Sequence, residues 1–273
     1  MSTRLFLGDA PIDAIPLDNR AFAYGESLFE TLRAHRGELP WWDRHLARLR
    51  AAAERLAMPL PDAARILAEA QRLLGGDDAV LKLHVSRSGA RGYAPDHAAA
   101  PLWLLSKQPL PAPHDALNVI HCETRLSAQP RLAGLKHGNR LEQVLARSEA
   151  AAQGADEGLM CDAEGAPICA TSANLFALID GVWRTPAVER CGVAGVMRGW
   201  LLAQSLAIIA PITQTELQQA EAVFLSNAVR GILPVRRLGD THWPSIHSAI
   251  RDLQAQLAVA HPGFTPYSET KLK

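Results

Sequence analysis

A mixed α/β fold, α+β-like in how strands and helices are distributed, is what the sequence predicts, on three observations. Apolar residues alternate with polar ones in Ser27-Leu-Phe-Glu-Thr-Leu-Arg-Ala-His35 and recur in short runs at Val80 to Val85, Leu102 to Leu105, Leu117 to Cys122 and Ala222 to Leu225. Helical patterns stand between these runs, each preceded by a residue able to cap it. Prolines at 109, 111 and 113 block both helix and central strand. The stretch 107–114 is therefore expected to link a smaller N-terminal domain, residues 1–106, to a larger C-terminal one, residues 115–273.

Along the chain, Arg36-Gly-Glu turns the first strand back toward Leu39 as in a hairpin. Asp43 is expected to cap a helix that turns Leu46, Leu49 and Leu56 inward, and Asp62 a second that stops at Gly75-Gly76. Beyond the linker, Asn139 with Glu142 three residues on has the form of a capping box, ahead of Leu141, Val144, Leu145 and Ser148 at helical spacing. Turns at Asp162-Ala-Glu-Gly165 and Asp180-Gly181 separate the strands of a meander. A helix follows Gly195, Ser245 caps the closing helix, and residues past Pro262 are expected to form a loosely held tail.

Composition narrows the function. The 28 basic and 28 acidic side chains cancel, and no basic run interleaved with aromatics offers a footprint for nucleic acid. No apolar run reaches the length of a bilayer span, and the N-terminus lacks a signal-peptide core, so a cytoplasmic protein is expected. Cys122, Cys161, Cys169 and Cys191 lack a paired spacing, which argues against a zinc site or a disulfide framework.

Of the basic residues only five are lysines, and Lys136 sits in an apolar segment, Leu132-Ala-Gly-Leu-Lys-His-Gly-Asn139, directly ahead of a helix start. Loss of water and the positive end of a helix dipole both disfavour its ammonium form. A lysine that is neutral near pH 7 is a nucleophile toward carbonyls. The same placement also fits a solvated lysine at a loop end.

Seven segments, in order over nearly the whole chain, resemble the fold-type IV pyridoxal-phosphate enzymes, and among them the bacterial aminodeoxychorismate lyases. They are Phe22-Ala-Tyr-Gly-Glu-Ser-Leu-Phe-Glu-Thr31, His45-Leu-Ala-Arg-Leu49, Ser86-Arg-Ser-Gly-Ala-Arg-Gly-Tyr93, Leu132 to Leu145, Thr171-Ser-Ala-Asn-Leu-Phe176, Gly192-Val-Ala-Gly-Val-Met-Arg198 and Glu221 to Asn227. The resemblance implies a cofactor, pyridoxal 5'-phosphate, in the cleft between two domains, with Lys136 as the lysine that holds it covalently. It assigns Arg48 to the cofactor phosphate, where a guanidinium presents two parallel donors. The amides of Val196 and Met197 at a helix N-terminus, with Asn227 and Ala228, complete that cradle. Arg91 and Tyr93 are implied as substrate residues on a loop reaching across a homodimer interface. Phe29 matches a pocket-lining position and fits ordinary strand core equally well. Arg140 fits either a cofactor or substrate contact or an exposed helix start. Thr171 is expected to assist Lys136 in proton transfer.

Two positions depart from the family pattern. Glu26-Ser27 stands where Asp-Gly is usual, and Cys169 where the family places a glutamate against the pyridine nitrogen. A thiol supplies no fixed negative charge, so the cofactor ring is expected to be a weaker electron sink, which hinders transamination more than an elimination that ends in an aromatic product. The implied activity is therefore loss of pyruvate from 4-amino-4-deoxychorismate to give 4-aminobenzoate for folate synthesis, with aminodeoxychorismate synthase as a partner. The alternatives are a D-amino-acid or branched-chain aminotransferase, or a non-catalytic homologue.

Overall fold

Two sheets divide the strands of the molecule, and each is built by a different half of the chain. The computed structural model describes residues 2–89 and 92–264. The first sheet contains β1 (Ser2–Leu7), β2 (Ala10–Pro11), β3 (Ser27–Ala34), β4 (Ala79–Arg87) and β5 (Pro101–Gln108), antiparallel in the order β2-β1-β5-β4-β3. Helices α1 (Arg20–Tyr24), α2 (Trp42–Arg55) and α3 (Ala63–Leu74) accompany it. Alternation explains its faces: Leu81, Leu83 and Val85 join Leu28, Leu32, Leu49 and Ile66 in one core, while Lys82 and His84 stand on the other face.

The second sheet comprises β6 (Leu117–His121), β7 (Glu157–Cys161), β8 (Pro167–Ala170), β9 (Asn174–Ile179), β10 (Val182–Thr185), β11 (Ile208–Ile209), β12 (Ala222–Asn227), β13 (Gly231–Leu238) and β14 (Thr241–His242). A pairing of Cys169 with Asn174 joins β8 back to β9, so β9-β12-β13-β6-β7-β8 closes into a ring. Helices α4 (Leu141–Ala152), α5 (Val196–Ala203), α6 (Gln214–Gln219) and α7 (Ser248–Ala260) lie outside it. None of the described helices is long and apolar enough to cross a membrane.

Several expected caps move. Asp62 does cap α3, accepting from the Arg65 amide at 2.9 Å, and Gly75 ends that helix at φ 60°. Asp43, however, lies in the first turn of α2, and Trp41 is the cap. Ser245 gives way to His247, whose ring accepts from the Ala249 amide. Asn139 does not cap α4; its side-chain amide donates to the Gly25 carbonyl, and Glu142 accepts from the Ser127 amide. Tertiary partners outbid the local ones in both cases. Leu141, Val144 and Leu145 of α4 face outward at 71%, 57% and 52% exposure, and the helix buries Ala146 and Ala150 instead. Pro262–Phe264 forms a short 3-10 turn that sets the Phe264 ring 6.1 Å from Trp41, and the rest of the expected tail, 265–273, lies outside the described residues.

Candidate active site

Lys136 is strapped from both sides by main-chain bonds. On one side the Phe29 amide donates to the Lys136 carbonyl at 3.0 Å and the Gly138 amide to Ser27 at 2.7 Å, which adds the segment to the free edge of β3. Glycine at 138 permits this close approach, since a Cβ there would lie 2.1 Å from Ser27 Oγ and 3.2 Å from the Gly25 carbonyl oxygen. On the other side Gly134 exchanges 3.0 Å bonds with Gly192 and Ala194, the turn that leads into α5. The lysine is thus fixed between the first sheet and the glycine turn of the second.

Its Nζ sits 4.3 Å from the centre of the Phe29 ring. Burial and then the Arg48 guanidinium push its pKa down to about 7; Glu30 opposes them, and Arg140 and Lys82 add to the fall. Of the two causes expected from the sequence, loss of water is the largest, and the neighbouring cations Arg48, Arg140 and Lys82 add to it.

Arg48 projects from α2 to the same place. Its Nε donates to Glu30 Oε1 at 2.8 Å, its Nη2 to Glu30 Oε2, and its Nη1 to the Ala194 carbonyl at 3.0 Å. Glu30 also meets His45 Nδ1 at 2.6 Å. Burial by itself would raise the Glu30 pKa, but the charge of Arg48 and the hydrogen bonds from His45 and Arg48 outweigh it and hold the carboxyl at about 2. Burial lowers the pKa of His45 despite the carboxylate beside it.

Beside Arg48 lies a bare helix terminus. Gly195 caps α5 without a side-chain bond, and the amides of Val196 and Met197 have no partner among the described residues. A Cβ at Gly195 would lie 2.0 Å from Asn174 Oδ1, so the approach stays backbone-only. Asn174 pairs across the sheet with Ser226, whose hydroxyl is buried without a partner. Asn227 closes the neighbouring turn, its Oδ1 accepting from Val229 and Arg230 at 3.0 and 2.8 Å, and Ala228 packs beneath α5. An orphaned hydroxyl, open amides and a guanidinium together suit an anion. With a lysine whose pKa is pushed down to about 7 alongside, these donors fit pyridoxal phosphate.

Cys169 occupies a different environment. It is buried on β8 among Ile120, Cys122, Met160 and Cys191, and burial, reinforced by Cys191, pushes its pKa up to about 12. It is a neutral thiol. Arg140 folds back onto the His137 and Leu135 carbonyls at 2.9 and 2.8 Å, and burial lowers its pKa to about 10. It is the cap residue of α4 and half-buried, not an exposed helix start. The Thr171 hydroxyl donates to the buried Glu157 carboxylate, so its proton is committed there. Tyr93 is 89% exposed, its ring 5.5 Å from Tyr24. Arg91 lies outside the described residues.

The structure adds residues that the sequence reading passed over. Lys82 Nζ lies 5.1 Å from the Phe29 ring centre, and His84 stacks on the same ring at 5.5 Å. Burial lowers the pKa of Lys82, which has no carboxylate partner among the described residues. Burial, with Lys82 and Lys136, holds His84 neutral at a pKa of about 4. The signal was present in the alternation of β4, where Lys82 and His84 point away from the leucine core. No group of three or more His, Cys, Asp or Glu among the described residues is placed to hold a metal.

The class IV aminotransferase family matches residues 27–238. Aminodeoxychorismate lyase of Vibrio harveyi is 35% identical over 237 residues, which covers 82% of this chain and 88% of that protein. The crystal structure of 4-amino-4-deoxychorismate lyase from Pseudomonas aeruginosa, 41% identical, superposes with a TM-score of 0.85 over 93% of this chain and 98% of that one. A branched-chain aminotransferase from Thermoproteus uzoniensis shares the fold at 17% identity, with a TM-score of 0.82 over 94% of each chain. The chain belongs to the class IV aminotransferases, the fold-type IV family of pyridoxal-phosphate-dependent enzymes.

Proposed function

We propose that this protein is a 4-amino-4-deoxychorismate lyase, eliminating pyruvate from its substrate to leave 4-aminobenzoate. The observation that carries the reading is Lys136: an amine with a pKa pushed down to about 7, fixed between β3 and the glycine turn, beside a cradle for phosphate. The likeness to two proteins named for this activity, at 35% and 41% identity, supports it.

Arg48, the Val196 and Met197 amides, Asn227 and Ala228 would hold the phosphate end of the cofactor, and Arg140 and Cys169 would serve its ring end. When bound, pyridoxal phosphate withdraws electrons from the carbon that bears the substrate nitrogen. Lys136 then works as the base. An amine poised near ambient pH gains a proton from C4 and gives it up again to the departing enolpyruvyl oxygen, whose C–O bond breaks as the ring becomes aromatic. No water or external oxidant enters, since substrate atoms equal those of 4-aminobenzoate and pyruvate together.

Lys82, an ammonium without a partner carboxylate in the described structure, is suited to one of the two substrate carboxylates, with Phe29 beneath the ring. Arg91 and Tyr93 belong to the loop proposed for the other. The neutral thiol at Cys169 favours elimination over aminotransfer, because it leaves the ring nitrogen without a counter-charge. The same reading places the division between domains at 107–114 and implies a cytoplasmic homodimer that receives substrate from aminodeoxychorismate synthase.

The test is release of 4-aminobenzoate, followed by its fluorescence, from enzymatically supplied aminodeoxychorismate. A holoenzyme that releases none, yet converts its cofactor to the pyridoxamine form with an amino donor, would overturn the lyase in favour of an aminotransferase.

A further inference from the structure

Away from Lys136, a buried ion cluster underlies the connection between β4 and β5. Arg87 is 0% exposed and Arg20 3%, and the two guanidiniums share one carboxylate, that of Glu26. Arg87 Nε reaches Glu26 Oε1 at 3.0 Å, and Arg20 Nε donates to Oε2. Arg87 spends its other donors on the Ala57 and Asp96 carbonyls at 2.6 and 3.2 Å. Arg20 points the other way, to the Gly92 and Tyr93 carbonyls at 2.7 and 3.2 Å. The Gly92 amide in turn donates to the Tyr24 hydroxyl at 2.8 Å, and Arg20 lies 4.8 Å over the Tyr24 ring.

Such a cluster is poorly explained by stability alone, since apolar residues of similar volume usually hold a fold as well as a buried ion pair does. What an apolar residue does not do is grip carbonyls. Among its described residues the connection 88–100 has no ladder of its own, and Arg20 supplies two of the bonds that fix it. The cluster is also continuous with the lysine segment. Glu26 lies between Gly25, whose carbonyl takes the Asn139 side chain, and Ser27, whose carbonyl takes the Gly138 amide.

We propose that Arg20, held by Glu26, is a positioning residue that sets the Gly92–Tyr93 turn and through it the affinity for an anionic substrate, leaving the cofactor end of the cleft untouched. This rests on the proposed reading that the loop carrying Tyr93 serves the substrate. It also gives a purpose to the glutamate at position 26, which holds two arginines at once where a shorter aspartate would reach less far.

The experiment compares wild-type holoenzyme with Arg20→Gln, Glu26→Gln and Tyr24→Phe. Loss of the Arg20 bonds to the turn in the first variant, and of the carboxylate that holds Arg20 in the second, is expected to raise KM for aminodeoxychorismate about tenfold, with kcat within about twofold and the absorbance of bound cofactor unchanged. Tyr24→Phe, which removes only the acceptor for Gly92, should raise KM by about threefold, and it carries the test if the charge variants do not fold. Arg20→Lys should recover part of the loss, because one ammonium serves one carbonyl but not both. KM unchanged in all of these variants, or a fall in kcat that follows loss of cofactor absorbance, would overturn the proposal. A wild type that releases no 4-aminobenzoate sinks the lyase reading instead. The dissociation constant of benzene-1,3-dicarboxylate, read through the cofactor band, then carries the same comparison.

Discussion

Two regions flank Lys136, and they handle charge in opposite ways. On one side Arg48, Glu30 and His45 form a buried polar triad in which the carboxyl is held at about 2. On the other, Cys169 lies with Cys122, Cys191 and Met160 in an apolar cluster where its thiol is pushed up to about 12. The first region can hold a permanent cation because a carboxylate compensates it; in the second the thiol itself carries no charge, and the nearby Arg140 is committed to main-chain carbonyls. On the proposed function, the difference teaches that a rigid, charge-compensated side suited to an anion is set against a side left electrically soft.

The largest effect should come from the residue between the two regions. Lys136→Ala is expected to abolish the absorbance of lysine-bound cofactor and to lower kcat by about three orders of magnitude or more. Retention of a normal band would break the comparison, because neither region would then face the reacting amine. The cofactor-free protein offers a second reading. A lysine whose folded pKa is about 7 against an ordinary value of 10.5 penalises the folded state most below pH 7, and the penalty vanishes as pH rises to 10.5. Thermal stability of the apoprotein should therefore climb across that window, and Lys136→Met should flatten the climb.

Next is Glu30→Gln. A carboxyl lowered to about 2 from 4.5 contributes about 3 kcal/mol above pH 4.5, and the contribution is lost as pH falls through about 2. The variant leaves the Arg48 charge partly uncompensated, so chemical denaturation at pH 7 should show a loss of that order and a weaker dependence on acid. A stability equal to wild type would mean that the triad is not the rigid side of the site.

Arg48→Lys tests the clamp directly. A lysine cannot bond Glu30 through two atoms while reaching the Ala194 carbonyl, so cofactor affinity should fall by about 10- to 100-fold. Equilibrium dialysis of the cofactor measures it, and an unchanged affinity would leave the bare terminus of α5 as the sole anion site.

The triad side was the more legible from sequence. His45-Leu-Ala-Arg48 and the Gly192 to Arg198 turn stand out through the family resemblance; by periodicity alone Arg48 reads as a surface helix residue, and most glycine turns before a helix only connect elements. What sequence did not disclose was that Glu30 holds Arg48, since that pairing joins a strand to a helix through side chains 18 positions apart. Local signals also failed where a distant partner was stronger: Asn139 reads as a cap until Gly25 is placed beside it. The helical spacing of Leu141, Val144 and Leu145 was real but pointed outward, because periodicity defines a face without saying what lies opposite. Lys82 and His84 were missed for the converse reason. The alternation of β4 defines a strand by its leucines and valines and leaves open what the polar residues between them face, which the first sheet turns toward Phe29.

The smallest effect is expected on the soft side, and it separates the two regions most sharply. Removing a neutral thiol deletes no charge, so Cys169→Ala should change cofactor affinity by less than about threefold and stability by about 1 kcal/mol, the order expected for a small cavity. Cys169→Glu is the opposite experiment. The carboxylate would enter a buried apolar cluster whose nearest compensating group is Arg140, itself committed to the Leu135 and His137 carbonyls. The variant should therefore be less stable than Cys169→Ala, yet once cofactor is bound it should supply the counter-charge that the ring nitrogen lacks. Conversion of cofactor to its pyridoxamine form by alanine should then become faster, while release of 4-aminobenzoate gains little. If instead both rates rise together, the thiol limits catalysis in general, and the electrically soft end is a weakness of this enzyme, not the feature that keeps it a lyase.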